Sequence, residues 1–129
     1  MDLKQYFAET EGFGVLSTAD QSGNVDSAVF SRPHFLENDT LAFIMNDRLS
    51  HRNLQANPKA AYLFKAAGQG YNGKRLFLAK VKEEKNSELI SSLQRRTYPP
   101  EKEYNGPKFL VYFTVEKELP LIGPEEAND

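Results

Sequence analysis

Short apolar runs separated by polar turns divide this chain into elements. Alternating or continuous apolar positions predict six strands, over residues 14–19, 25–36, 40–45, 59–66, 75–82 and 109–115. Helical spacing and capping residues predict three short helices, the first capped by Asp2, the second beginning near residue 47 and the third over residues 86–96. The connections in the first half are short, so neighbouring strands are expected to pair antiparallel. The pattern therefore predicts a mainly β fold with short α-helices, a small six-stranded antiparallel barrel whose closure removes exposed edges.

Two residues in the first half mark changes of direction. Gly23, in the polar stretch 20–24, is free to take a positive φ and predicts a tight turn. Pro33 lies inside the predicted second strand, and a central strand does not tolerate proline. Pro33 therefore marks an edge, a bulge or the end of that strand.

The most informative stretch runs from residue 40 to residue 64 and predicts strand, short helix, strand. Asp47 is the predicted N-cap of the helix. Arg48, Ser50 and His51 then fall in a first turn whose backbone N–H groups have no partner within the helix, and Arg52 follows. Free amides, the positive end of the helix dipole, cations and a hydroxyl together favour binding of an anion, and phosphate is the best match.

Length and composition limit the number of domains and the classes of function that the chain can have. With 129 residues the chain is predicted to be one domain over 1–129, with a tail that is flexible from about residue 118. The 16 Lys and Arg against 18 Asp and Glu give a net charge of −2, which argues against a general nucleic-acid binder. No apolar run approaches the roughly 18 residues of a membrane span, and the N-terminus does not resemble a signal peptide. The absence of cysteine excludes disulfides and thiolate chemistry, and a cytoplasmic location is expected.

Several polar groups have simpler interpretations. Arg48 and Arg52 taken alone fit two solvated cations. His34 and His51 are the two histidines, and without a carboxylate cluster they predict no metal site, so His51 is expected on the helix surface. The glycine-bearing stretch 68–74 lacks the Gly-Lys-Ser/Thr ending of a Walker A loop and predicts a hairpin loop. The charged run 80–85 is interpreted as solvated surface.

A family resemblance emerges from the order of these elements. A helix, a strand meander and then strand–helix–strand with Asn53-Leu54-Gln55-Ala56-Asn57-Pro58 resembles the FMN-binding split barrels of the pyridoxamine 5′-phosphate oxidase-like superfamily. The resemblance covers residues 13–115 approximately. It implies an FMN-binding split β-barrel for this chain.

The resemblance also implies a set of cofactor-binding residues. Arg48 matches the family's first basic residue for the FMN phosphate. Ser50 stands where the family usually has a second, and Arg52 is a candidate to supply the missing cation. Asn46 follows the third predicted strand at a position that often hydrogen-bonds the flavin. The further candidates implied by the resemblance are Ser27, Ser31 and Arg32 on the second strand, His51 on the helix and Tyr71 in the glycine-bearing loop.

The implied function is an FMN-dependent oxidoreductase that acts on an unknown small molecule, with no catalytic acid or base identified. The family implies a homodimer with flavin at the interface, where the loop that contains Tyr71 or the loop from Tyr98 to Tyr104 would close over the partner's flavin. Two alternatives stay open. One is an FMN-binding electron-transfer protein without its own substrate, and the other is a flavin-free split barrel that binds another phosphorylated small molecule.

Overall fold

The computed structural model describes residues 2–37, 40–93 and 104–124, and of residue 37 only the backbone. Within these ranges, three helices and seven strands follow one another. They are α1 (Leu3–Glu9), β1 (Gly12–Ala19), β2 (Val25–Val29), β3 (His34–Glu37), β4 (Thr40–Asn46), α2 (Leu49–Ala56), β5 (Lys59–Ala66), β6 (Gly73–Lys85), α3 (Leu89–Leu93) and β7 (Lys108–Pro120).

One antiparallel sheet contains all seven strands, in the order β2-β1-β5-β6-β7-β4-β3. The predicted count of six strands is wrong, and so is full closure, because β2 and β3 lie at opposite ends of this order and do not pair. Pro33 is the physical reason. It has no N–H for a ladder hydrogen bond, so the predicted strand 25–36 divides into β2 and β3 on either side of it.

The inner face of the sheet carries an aromatic core. Phe43, Tyr62, Phe64 and Phe113 are at most 2% exposed, and Phe7 of α1 packs against them with its ring centroid 5.0 Å from that of Phe64. A second cluster on the other side of β4 and β7 joins Ala42, Leu110 and Tyr112 to Ile90 of α3. The sheet is thus covered on both sides where β4 and β7 pair.

Local signals at the N-terminal end of the chain are confirmed. The Asp2 side chain accepts a hydrogen bond from the Gln5 N–H and caps α1, as predicted. Gly23 has a φ of 87° in the β1–β2 turn.

Gly14 allows β1 to approach Tyr62 closely, since a Cβ at residue 14 would overlap the Tyr62 hydroxyl. That hydroxyl donates to the Phe30 carbonyl at 3.0 Å and so fixes the segment that follows β2.

The C-terminal strands are longer than the sequence pattern predicts. β6 continues through the charged residues to Lys85, and β7 begins at Lys108 and continues to Pro120. The predicted tail from about residue 118 is therefore partly ordered, and the Arg75 Nε donates to the Pro120 carbonyl at 2.9 Å. The predicted third helix is α3, and the end of that prediction, 94–96, lies outside the described residues.

No helix in the described ranges combines the length and the hydropathy that a membrane crossing requires.

Candidate functional site

A cleft of about 480 Å³ opens beside the N-terminal end of α2. Four parts of the chain form it: β2 with the segment that leads to β3, the end of β4, the first turn of α2 and the start of β7. The lining residues are Asp26, Ala28, Val29, Phe30, Ser31, Arg32, His34, Phe43, Ile44, Asn46, Arg48, Leu49, Ser50 and Lys108. Elements that are distant in sequence therefore meet around the helix end that the sequence identifies as an anion site.

The N-cap of α2 is Arg48 and not Asp47. Arg48 has extended backbone angles, φ −130° and ψ −164°, and makes no side-chain cap hydrogen bond. Asp47 does not cap the helix because its carboxylate lies 3.2 Å from Nδ1 of His51. The first-turn N–H groups have no intrahelical acceptor, so the positive end of the helix keeps its capacity for an anion.

Tyr104 holds the chain around Arg48. The Arg48 guanidinium carbon lies 5.3 Å from the centroid of the Tyr104 ring, a cation–π distance. The Tyr104 hydroxyl accepts from the Asp47 N–H at 2.8 Å and donates to the Pro107 carbonyl at 2.6 Å. An exposed cation beside the cleft thus packs on an aromatic ring whose own position is fixed by two hydrogen bonds.

Ser50 faces β2 and lies next to a carboxylate. It is 7% exposed, and its hydroxyl donates to Oδ2 of Asp26 at 3.3 Å. Both residues line the cleft. The position where the resemblance implies a second cation therefore carries a hydroxyl paired with a negative charge.

Apolar side chains form another part of the cleft lining. The rings of Phe30 and Phe43 meet edge to face with centroids 5.8 Å apart. Val29 and Leu49 are 61% and 51% exposed and flank them. The lining thus combines cations and polar groups with apolar and aromatic side chains.

Lys108 is a lining residue that sequence reasoning missed. It pairs with Asn46 in the β4–β7 ladder, which brings it to the α2 end of the cleft. The pattern of apolar residues starts the last strand at residue 109, one position too late, and nothing local shows which strand lies beside β4. Lys108 could be placed at the cleft only with knowledge that β7 pairs with β4.

Arg32 lines the cleft and also ties it to the first helix. Its Nη1 donates to the carbonyls of Phe7 and Thr10, at 2.9 and 3.0 Å, and these carbonyls lie at the C-terminal end of α1. Cations favour that end of a helix because the dipole is negative there. Arg32 therefore fixes the segment that joins β2 to β3.

The structure brings together five of the nine predicted site residues in the lining: Ser31, Arg32, Asn46, Arg48 and Ser50. The other four lie outside it. The Ser27 hydroxyl is 2.8 Å from that of Ser17, Arg52 is exposed and donates to the Asp47 carbonyl at 3.5 Å, and Tyr71 is 73% exposed in its loop. His51, the fourth, belongs to a separate cluster. Of the loop Tyr98–Tyr104, residues 98–103 lie outside the described residues.

His51 is buried, which corrects the expected surface position. It is 6% exposed, and its ring stacks on Phe109 with centroids 3.7 Å apart. Its Nε2 lies 3.1 Å from both carboxylate oxygens of Glu83. Lys80 donates to the same carboxylate at 2.8 Å, so part of the charged run 80–85 packs against α2 and is not solvated surface. The cluster connects the first turn of α2 to β6 and β7.

Glu83 is the acceptor at the centre of this cluster. Its partial burial alone would raise its pKa, but hydrogen bonds from Lys80, Gln55 and His51 outweigh that effect and lower the pKa of Glu83 to about 2. The carboxylate is therefore ionised at neutral pH and holds its three partners in place.

Comparison with known proteins rests on structure, because no protein-family model and no curated protein matches the sequence. An FMN-binding protein from Syntrophomonas wolfei subsp. wolfei aligns with a TM-score of 0.73 and 20% identity, over 94% of this chain and 84% of that chain. An F420 reductase aligns with a TM-score of 0.68 and 14% identity, over 92% and 98%. A pyridoxamine 5′-phosphate oxidase-like protein from Lactobacillus delbrueckii aligns with a TM-score of 0.64 and 14% identity, over 92% of both chains.

These alignments cover nearly the whole chain at low identity, so what they establish is the fold. This chain therefore has the fold of these proteins, among them an FMN-binding protein, in agreement with the fold that the sequence resemblance implies.

Proposed function

We propose that this protein binds FMN in the cleft beside α2 and acts as a flavoprotein oxidoreductase on a small molecule. The observation that carries the proposal is the N-terminal end of α2. It has no side-chain cap, and Arg48, Ser50 and Lys108 surround it at one end of the cleft. Backbone donors and cations at a helix start are a general means of binding a phosphate.

The dimensions and the chemistry of the cleft suit a flavin. Its volume of about 480 Å³ falls within the roughly 300–1,000 Å³ of small-molecule sites. A flavin mononucleotide has an anionic end and a flat aromatic ring. The cationic end of the cleft matches the phosphate, and the wall that includes Phe30, Phe43 and Leu49 matches the ring.

Each lining residue has a role in this proposal. Arg48 and Lys108 neutralise the phosphate, and Asn46 and Ser31 supply polar contacts further along the cleft. Arg32 is the cation available to stabilise negative charge on the ring, and its hydrogen bonds to α1 hold it in place. When bound, FMN supplies the capacity for hydride or electron transfer, while the protein binds it, orients it and restricts water around it.

The direct test of the proposal is a titration with FMN. We expect the purified protein to bind FMN with quenching of flavin fluorescence and to bind riboflavin more weakly, because riboflavin lacks the phosphate that Arg48 and Lys108 contact. Isothermal titration calorimetry on the same samples gives the two affinities. A protein that binds neither flavin contradicts the proposal.

Two other functions share the same cleft. An electron-transfer protein would bind FMN and pass electrons from reduced flavin to a protein acceptor without turning over a small molecule. A flavin-free barrel would bind another phosphorylated small molecule, and the Ser50–Asp26 pair is the observation that favours it. Turnover assays separate oxidoreductase from electron carrier, and a thermal shift with FMN separates both from the flavin-free barrel.

We also propose that the protein is a homodimer with the flavin near the interface. Val29, Val15 and Leu63 lie side by side across β2, β1 and β5 in the strand register. Val29 is 61% and Leu63 42% exposed, while their neighbours Leu16 and Tyr62 face the core. This apolar strip begins at the edge of the cleft, because Val29 belongs both to the strip and to the cleft lining. A second subunit packed on the strip would therefore lie next to the flavin.

Sedimentation equilibrium measures the oligomeric state. We expect a mass about twice that of the chain for the wild type and a single-chain mass for Leu63→Glu, because a buried unpaired charge disrupts an apolar interface. Val81→Glu is the matched control, since Val81 is 51% exposed on β6 away from the strip. A wild-type protein that sediments as a monomer contradicts the dimer.

A further inference from the structure

A negative charge lies at the end of the cleft where the proposed phosphate would bind. We infer that Asp26 determines which flavins this protein selects, by disfavouring a doubly charged phosphate relative to an uncharged ligand end. The inference rests on the proposed function, because it concerns the same cleft. It goes beyond that function in assigning a specificity-determining role to a residue that sequence reasoning did not identify.

The position of Asp26 is fixed from two sides. Its carboxylate accepts the hydrogen bond of the Ser50 hydroxyl at 3.3 Å. Thr18 lies directly opposite Asp26 in the β1–β2 ladder, and the Thr18 hydroxyl accepts from Nδ2 of Asn53 at 3.0 Å within the buried interior. Two hydrogen bonds therefore connect the same side of α2 to β1 and β2, and they keep the carboxylate next to the first turn of the helix.

Within the described part of the chain, the charge of Asp26 is not neutralised by an ion pair. None of the salt bridges among the described residues includes it. Arg48, two residues before Ser50, packs over the Tyr104 ring. A phosphate at the start of α2 would therefore have two cations of the lining, Arg48 and Lys108, and one carboxylate as neighbours. Because Coulomb repulsion scales with the ligand's charge, Asp26 acts most strongly on a dianion.

The Ser50 hydroxyl is also committed to Asp26. A hydroxyl has one hydrogen to donate, so while Ser50 donates to the carboxylate it offers a phosphate only its lone pairs. The Asp26 carboxylate thus has two effects on a bound phosphate: it occupies the hydrogen of the Ser50 hydroxyl, and its negative charge repels the phosphate. Both effects act on the phosphate and neither acts on the flavin ring.

The test is the ratio of FMN affinity to riboflavin affinity, measured by calorimetry for the wild type and for Asp26→Asn. The asparagine keeps the shape and removes the charge, so we expect FMN to bind about three- to tenfold more tightly, an electrostatic gain in a partly solvated site. Riboflavin affinity should stay unchanged. Asp26→Ser is a second variant that removes the charge with a smaller side chain and should raise the ratio in the same direction.

Glu116→Gln is the matched control, because it removes one negative charge at the exposed Lys59–Glu116 pair and should leave the ratio unchanged. A ratio that is the same in the wild type and in both Asp26 variants overturns the inference and leaves FMN binding standing. If neither flavin binds the wild type or any variant, both the inference and the proposed function fail.

Discussion

Arg48→Ala is expected to weaken FMN binding about 10- to 100-fold, which corresponds to the loss of one charge-assisted contact of roughly 1.5–3 kcal/mol. Arg48 is both the N-cap of α2 and a cation of the cleft lining, so it lines the same cleft as the first-turn residues whose amides would bind the phosphate. Lys108 remains in the variant, and binding should therefore be weakened and not abolished.

The proposed contact involves only the phosphate of FMN, and this gives the measurement its internal control. Riboflavin affinity should be unaffected by Arg48→Ala, since the ribityl end of riboflavin carries no charge. Lys59→Ala removes a cation of the exposed Lys59–Glu116 pair and should leave FMN affinity within the precision of calorimetry. Equal FMN affinity for the wild type and Arg48→Ala would reject the phosphate site at α2.

Glu83→Gln is expected to lower the free energy of unfolding at pH 7 by about 1.5–3 kcal/mol, the range for hydrogen bonds to charged groups. The substitution removes the charge that Lys80 and His51 face, both of which are largely buried. It also loosens the connection between the first turn of α2 and β6. Urea denaturation of the wild type and the variant measures the difference.

The pH dependence of this difference has a definite sign. The pKa of Glu83 is lowered from 4.5 to about 2 by the hydrogen bonds from Lys80, Gln55 and His51, which outweigh the effect of burial. A carboxyl whose pKa is lower in the folded state stabilises the protein above its unfolded pKa and loses that contribution as the pH falls. The advantage of the wild type over Glu83→Gln should therefore be complete above about pH 5 and shrink steadily toward the folded pKa of about 2.

The exposed Lys59–Glu116 pair again supplies the comparison. Glu116→Gln should change the unfolding free energy at pH 7 by less than about 1 kcal/mol, as is usual for a surface ion pair. If the two glutamine variants lose the same stability, or if the Glu83→Gln difference is constant from pH 7 to pH 3, the cluster around His51 does not stabilise α2 as described.

Local patterns predicted the parts of the site that lie close together in sequence. Asn46, Arg48 and Ser50 follow one strand directly, and the turn from strand to helix places them at one end of the cleft. The Asp2 cap and the positive φ of Gly23 were predictable for the same reason, since each depends on interactions within a few residues. The position of the N-cap was missed by one residue because Asp47 has a competing partner in His51.

Contacts between distant strands were not predictable. Lys108 reaches the cleft through the β4–β7 pairing, and Asp26 meets Ser50 because β2 lies beside α2. The burial of His51 depends on Phe109 and Glu83, which come from two later strands. None of these pairings leaves a signal in the apolar periodicity, which reports the face of a strand and not its neighbour.

The separation of β2 and β3 has a thermodynamic consequence. These strands form the two free margins of the sheet, and the short bridge between them, residues 30–33, contributes Phe30, Ser31 and Arg32 to the cleft. A molecule bound there would contact β2, residues 30–32 and His34 of β3 at the same time. It would therefore connect the two edge strands, which do not pair with each other. Ligand binding should therefore stabilise β2 and β3 against fraying, and a change that stabilises these two strands should in turn increase the affinity for the ligand.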